Sequence, residues 1–131
     1  MLVHEWFATA AVAVLALVLG FQLLLAAGAP FGHAAWGGRH RVLPTTLRVA
    51  SAAAAVIIAV MAWVVLARAG MVVPGAGSAA IRVATWVLVV FFALNTVANG
   101  ASKSAVERFV MTPATLFMVA CLVVVATAQR P

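Results

Sequence analysis

Four long apolar runs dominate the sequence and leave few architectures open to it. They occupy residues 6–29, 49–67, 83–98 and 113–128. A helix needs roughly 17–25 residues to cross about 30 Å of hydrocarbon, and the two shorter runs reach that length if their helices extend to 82–99 and 110–128. A β-barrel would need alternating apolar and polar residues, whereas these runs are continuous. The sequence therefore predicts an all-α membrane protein, a single domain over residues 1–131 in which four transmembrane helices form a compact antiparallel bundle.

The composition agrees with a membrane location. Of the 131 residues, 67% are hydrophobic and 8% are charged, and the mean hydropathy is +1.23; soluble domains have about 45–50% apolar and 25% charged residues. Eight basic and two acidic residues give a formal charge of +6. Because the bases are scattered singly between the spans, we expect the lipid bilayer, and no nucleic acid, as their partner. The single cysteine excludes a disulfide framework.

The distribution of basic residues predicts an orientation. Usage rich in Ala, Val and Arg, with no Tyr, is typical of GC-rich bacteria, so we expect a multi-pass protein of the bacterial cytoplasmic membrane. Four spans place the loop between spans one and two (loop one) and the loop between spans three and four (loop three) on the same side. On that side lie Arg39, Arg41, Arg48, Lys103 and Arg108, against Arg68, Arg82 and Arg130 on the other. This bias favours a cytoplasmic location for loops one and three.

Two spans begin with similar sequences. Residues 44–47 (PTTL) match residues 113–116 (PATL), and each follows an arginine at a different spacing. A proline suits the first turn of a helix. We leave open whether the chain is a duplication of two helical hairpins. Pro113 would either kink a helix that starts near Ala105 or lie in the first turn of a new helix capped by Thr112.

Polar side chains gather at the end of span three. Asn95 and Asn99 are one helical turn apart on the same face, and Ser102 follows if the helix continues. Their side chains would either form hydrogen bonds between helices or line a pore or ligand pocket. Gln22, deep in span one, presents the same alternatives.

Glu107 is one of the two acidic residues and has two possible roles. Ser104 and Glu107 have the spacing of a capping box, in which the serine hydroxyl accepts from the backbone and the glutamate reaches back to Ser104 N. Beside Lys103 and Arg108, the carboxylate would complete this cap and a local ion pair. Alternatively, it would bind a cation, relay protons or hold a gate.

Loop one and its neighbourhood offer basic groups but no recognisable catalytic or metal site. We expect lipid head-group contacts from Arg39, His40, Arg41, Arg48 and Lys103. His33 and His40 lack further ligands at zinc spacing, and no Walker motif is present, so we predict no metal and no cofactor. The chain lacks Asp and a Gly-x-Ser-x-Gly motif, so we assign no catalytic residue. Ser102 or Ser104 with a loop-one histidine and Glu107 would be the enzyme alternative.

Two segments resemble a set of small four-span membrane proteins of GC-rich actinobacteria. They are residues 37–48 (GGRHRVLPTTLR) and 94–116 (LNTVANGASKSAVERFVMTPATL). The most specific part is the pattern Asn-x3-Asn-x2-Ser-x-Ser-x2-Glu-Arg, which starts at Asn95. This resemblance implies the four-helix architecture and carries no mechanism.

Our leading hypothesis is a small polytopic membrane protein that binds or transports a small solute or ion. The predicted ligand or pore lining consists of Gln22, Asn95, Asn99, Ser102, Glu107 and Arg108. Four short helices leave little room for an enclosed path in one protomer, so we expect a homo-oligomer or a larger membrane partner. The alternative is an accessory or scaffold protein whose polar side chains only join helices, and a membrane-embedded enzyme ranks third.

Overall fold

A computed structural model describes residues 1–129 and shows four long helices in that part of the chain. They are α1 (Val3–Ala26), α2 (Thr45–Arg68), α3 (Ala79–Gly100) and α4 (Thr112–Thr127), and a π-helical segment, Glu107–Met111, leads into α4. Each is long and apolar enough to span a membrane, α4 when counted from Glu107. The described residues contain no strand. The predicted all-α transmembrane fold is therefore confirmed, and its architecture is that of a small multi-pass membrane protein.

Side chains cap the first turns of two helices, α1 and α3. The Glu5 carboxylate accepts a hydrogen bond from Leu2 N at 2.7 Å at the start of α1. The Ser78 hydroxyl accepts one from Ile81 N at 3.3 Å at the start of α3. These bonds satisfy backbone donors that have no partner within a helix. α1 and α3 start earlier than the predicted spans at residues 6 and 82, and α2, which has no side-chain cap, likewise starts at Thr45 instead of residue 49.

The four helices surround one apolar core. α1 packs chiefly against α2, and α3 chiefly against α4, while the pairs α1–α4 and α2–α3 complete the bundle. Consecutive helices are antiparallel, since the loop after α1 meets the loop after α3 at one end of the bundle. The largest fully buried side chains of the core are Leu15, Val65, Met118, Leu122 and Val125.

Two arginines of α2 bind the ends of other helices. Arg48 donates through Nε to Ala26 O at the end of α1, at 2.9 Å. Arg68 is only 3% exposed. It donates to the carbonyls of Ala76 (2.8 Å), Ala126 (2.9 Å) and Ala128 (2.9 Å). The last carbonyls of a helix lack donors within the helix, so these bonds join loop two (69–78) to the end of α4. Loop one (27–44) and loop three (101–106) lie at the opposite end of the bundle.

Candidate ligand cavity

The helix that carries Glu107 joins α4 through a π turn. Thr112 N donates to Glu107 O, five residues back, and Thr112 Oγ1 donates to the same carbonyl at 3.2 Å. Pro113 follows and has no N–H to donate, so the wide turn lies where α-helical bonding would lose a donor. Met111 keeps helical backbone angles (φ −74°, ψ −32°). The helix is therefore continuous, and Thr112 does not cap a new one.

Ser104 connects loop three to loop one. Glu107 N donates to Ser104 Oγ at 3.3 Å, which is one half of the predicted capping box. The other half is replaced, because Ser104 N donates to Ser102 Oγ at 3.1 Å. Ser104 Oγ in turn donates to the backbone carbonyl of His33, in loop one, at 2.8 Å. The Glu107 carboxylate is thus not used by the cap and contacts other groups.

The carboxylate of Glu107 bridges the two loops. Its Oε1 accepts from Gly37 N at 3.3 Å, and its Oε2 accepts from the Ser102 hydroxyl. Among the described residues it forms no ion pair, so the predicted pairing with a neighbouring base is wrong. The Arg108 guanidinium lies over the Phe109 ring instead, 4.8 Å from its centroid. Both hydrogen bonds to the Glu107 carboxylate therefore come from uncharged donors.

Loop one covers this end of the bundle through Trp36. Its indole Nε1 donates at 3.0 Å to Ser51 Oγ, which belongs to a fully buried residue. Trp36 has φ +51°, a left-handed conformation that is costly for a bulky side chain, and Gly37 and Gly38 follow with φ +82° and +77°. Surrounding contacts must hold this conformation, and the bond to Ser51 is one of them.

A cavity of about 430 Å³ lies between the four helices and below loop one. Its walls are mainly apolar and include Leu15, Phe21, Ile58, Phe92 and Met118. The backbone turn at Trp36 places that residue in the wall at the loop end. The volume lies within the range of about 300–1,000 Å³ that is typical of small-molecule sites.

Four of the predicted site residues line this cavity: Gln22, Asn95, Asn99 and Glu107. Gln22 Oε1 is buried and has no hydrogen-bond partner within the described part of the chain. In the same region, the side chains of Asn95 and Asn99 form no hydrogen bond with another residue. Polar residues from α1, α3 and the π-helical segment thus line one mainly apolar space.

A second, shallower pocket of about 340 Å³, which is open to the surface and has both polar and apolar lining, lies on the loop side of the cavity. It is lined by Gly37, Arg39, Ala98, Ser102, Lys103 and Glu107. Because Glu107 lines both spaces, they adjoin at its side chain. Ser102 contributes only to this outer pocket, and Arg108 is exposed and lines neither space.

The predicted head-group residues fall into three environments. Arg39 and Lys103 line the outer pocket. His40 and Arg41 are exposed in loop one. Arg48 is half-buried, and its bond to the end of α1 gives it a contact within the protein that the sequence did not indicate.

Hydroxyl groups supply the contacts that sequence reasoning missed. Thr96 Oγ1 donates to Thr115 Oγ1 at 3.0 Å and joins α3 to α4, a role expected of Asn95 and Asn99. Thr115 also lines the cavity. Threonine is common in membrane helices, so its presence alone does not indicate a contact. The one sequence feature that could have pointed to this contact is the position of Thr115 in the repeated Pro-x-Thr-Leu sequence.

The described residues contain no group of three or more His, Cys, Asp or Glu that could hold a metal ion. The Ser104 hydroxyl is bonded to the backbone of His33, which does not form a serine–imidazole pair.

Comparisons with protein-family models, with curated proteins and with solved structures find no match to this chain. The cavity and its lining residues are therefore the basis for a functional assignment.

Proposed function

We propose that this protein binds a small, mainly apolar solute in the cavity between its helices. The observation that carries the proposal is the convergence of Gln22, Asn95, Asn99 and Glu107 on one space whose other walls are apolar. Binding sites for small molecules combine apolar walls with a few polar groups that orient the ligand. Side chains that only joined helices would instead be bonded to a neighbouring helix.

The energetics favour an occupant with a polar end. For a solute that arrives from water, apolar contact contributes about 25 cal/mol per Å² of apolar surface buried. A buried acceptor without a partner costs roughly 1–3 kcal/mol, so rotation of the Gln22 side chain that turns the inaccessible Oε1 toward a ligand donor would recover part of that cost. The cavity lies within one chain, and binding therefore needs no second copy.

We propose binding, and not transport across the membrane, as the main function, because side chains fill the opposite end of the bundle. Val65 and Val125 are fully buried there, and Arg68 closes the space between loop two and α4. A transported solute would have to displace these contacts. Transport of the solute, or assembly of the protein into an oligomer, would be a further property beyond this binding function.

Fluorescence of Trp36 tests the proposal, because this indole lines the cavity. Trp6, Trp63 and Trp86 are replaced by Phe, and the protein is placed in lipid nanodiscs. The probe is 2-bromodecan-1-ol, whose bromine lies beside the hydroxyl group and quenches an indole at short range, so it comes close to Trp36 when the hydroxyl binds at the loop end of the cavity. We expect quenching that saturates with probe concentration per lipid, since a cavity has a limited capacity.

A matched pair of α2 variants separates the cavity from the lipid phase. Ala54 lines the cavity, whereas the adjacent Ala53 is exposed on the outside of the bundle. Ala54→Phe should abolish the saturable quenching, and Ala53→Phe should leave it unchanged. Equal, non-saturating quenching in both variants would show that the probe reaches Trp36 from bulk lipid and would refute the proposal.

A further inference from the structure

We infer that the preferred ligand is a zwitterion with an apolar body. Its ammonium group would contact Glu107, its acidic group would extend toward Arg39 and Lys103, and its apolar body would lie between the helices. This inference rests on the proposed function, since it names the chemistry of the ligand's charged end.

The two adjoining spaces match the two parts of such a molecule. The inner cavity of about 430 Å³ is walled by aliphatic and aromatic side chains. The outer pocket of about 340 Å³ contains Arg39 and Lys103. Glu107 lines both, so a ligand whose body fills the inner cavity brings its charged end to the carboxylate first and to the two bases next.

Glu107 retains the capacity to bind an ammonium group. An ionised carboxylate has about four acceptor positions, and the hydrogen bonds from Gly37 N and the Ser102 hydroxyl use one on each oxygen. Within residues 1–129 no base forms an ion pair with it. At the edge of an apolar cavity an opposite charge interacts more strongly than in water, because the dielectric constant is lower.

Arg39 and Lys103 supply the complementary charge for an acidic group. Both side chains are exposed, and within the described residues neither forms a hydrogen bond or an ion pair. A purely cationic ligand would be repelled by these two bases, and a purely anionic ligand by Glu107. A zwitterion meets a favourable partner at each charge, and this arrangement selects against the two singly charged classes.

This chemistry has two possible sources, water and the bilayer. A free apolar amino acid would arrive from water, and an alkyl betaine would arrive through lipid. Ile57 of α2 is 55% exposed and Phe91 of α3 is 43% exposed, and both line the cavity. The wall between α2 and α3 thus reaches the lipid-facing surface, and this geometry favours arrival from the bilayer.

Displacement of 2-bromodecan-1-ol from the single-tryptophan protein tests the inference. The competitors share a decyl chain and differ in charge: N-decyl-N,N-dimethylglycine, decyltrimethylammonium, decanoate and decanol. L-Phenylalanine is added as the competitor from water. We expect the decyl zwitterion to displace the probe at a concentration per lipid about tenfold lower than the other decyl compounds. Displacement by phenylalanine as well would show that the site is open to water.

Variants assign the selectivity to named charges. Glu107→Gln should remove most of the advantage of the zwitterion over decanol. The double variant Arg39→Gln, Lys103→Gln should remove its advantage over decyltrimethylammonium. Arg41→Gln is the matched control, because Arg41 is exposed in loop one and lines neither space. Retained displacement by decanol shows that each variant still forms the cavity.

The outcomes separate the inference from the proposed function. If all four decyl compounds displace the probe equally, or a singly charged one is as effective as the zwitterion, the inference is refuted while the cavity remains a binding site. The same conclusion follows if Glu107→Gln leaves the selectivity unchanged. If nothing displaces the probe, its saturable binding is not in the cavity, and both fail.

Discussion

The hydrogen bond between Trp36 and Ser51 connects loop one to the interior of the bundle. Trp36→Phe should lower the free energy of unfolding by about 1–3 kcal/mol, because it leaves a buried hydroxyl without a partner. Adding Ser51→Ala removes that hydroxyl, so the double variant should be less destabilised than the sum of the two single variants. Trp63→Phe, at an exposed position, is the control. Thermal unfolding in nanodiscs measures these effects, and equal loss in Trp36→Phe and Trp63→Phe would contradict this interpretation.

The contacts of Arg68 lead to a second prediction about a single residue. Its guanidinium donates to three carbonyls from two nitrogens, and a lysine ammonium cannot span them in the same geometry. Hydrogen bonds to charged groups contribute about 1.5–3 kcal/mol each, so Arg68→Lys should destabilise the protein by roughly 2–4 kcal/mol. Arg82→Lys, at an exposed position, should change little. Chemical unfolding of both variants measures the difference in stability. Similar unfolding midpoints would show that the geometry of the Arg68 hydrogen bonds does not stabilise the protein.

The candidate site was partly predictable from single residues. Asn95, Asn99 and Glu107 are conspicuous because carboxamides and acids are rare in such an apolar chain, and all three line the cavity. Their partners were not predictable. The Gly37 N–H that contacts Glu107 belongs to the backbone of a distant loop, and any residue except proline would offer the same donor. The local ion pair expected of Glu107 beside Lys103 and Arg108 does not form among the described residues, because sequence proximity does not specify where a side chain points.

At the scale of elements, loop one is held against loop three by a close approach at Gly38. A Cβ atom there would lie 2.8 Å from His33 O and 2.9 Å from Ser104 Cβ, whereas a Cβ at Gly37 meets nothing within 4 Å. Both glycines have positive φ, so alanine costs each about 1–2 kcal/mol in backbone strain. Only Gly38→Ala should also separate the loops.

Limited trypsin digestion measures this separation, because Arg39 and Arg41 lie in loop one. We expect Gly38→Ala to be cleaved at these sites faster than the parent protein, and Gly37→Ala to differ little from the parent. Faster cleavage of both variants to the same extent would mean that backbone strain, and not contact between the loops, controls loop one.

The start of α4 shows why elements were easier to predict than the joints between them. Continuous apolar runs require helices, since lipid offers no partner for backbone groups. No comparable physical constraint required a π turn at Glu107–Met111. Pro113 removes one donor, and a kink, a new cap or a π turn would each accommodate that loss. Ser104, at the start of this helix, also donates to the backbone of loop one, and a local sequence pattern does not reveal that contact.

At the scale of the whole molecule, the described structure sharpens the charge asymmetry between its two ends. Arg48 and Arg68 bind backbone carbonyls within the fold. The exposed bases that remain are Arg39, Arg41, Lys103 and Arg108 on one side, and Arg82 on the other. Arg130, which also contributed to the sequence-based count, lies outside the described residues. A cytoplasmic location for loops one and three remains our prediction from the distribution of basic residues.

Labelling of single cysteines tests this orientation in intact cells. Cys121 is buried and is first replaced by Ala, so that the parent has no thiol. Ala101→Cys places a thiol at an exposed position in loop three, and Val72→Cys places one in loop two at the other end. If positive charge directs insertion, a membrane-impermeant maleimide should label Val72→Cys in intact cells and Ala101→Cys only after lysis. The reverse pattern would refute the prediction, and labelling of both thiols in intact cells would indicate that the chain inserts in two orientations, as expected if the charge bias is too small to select one.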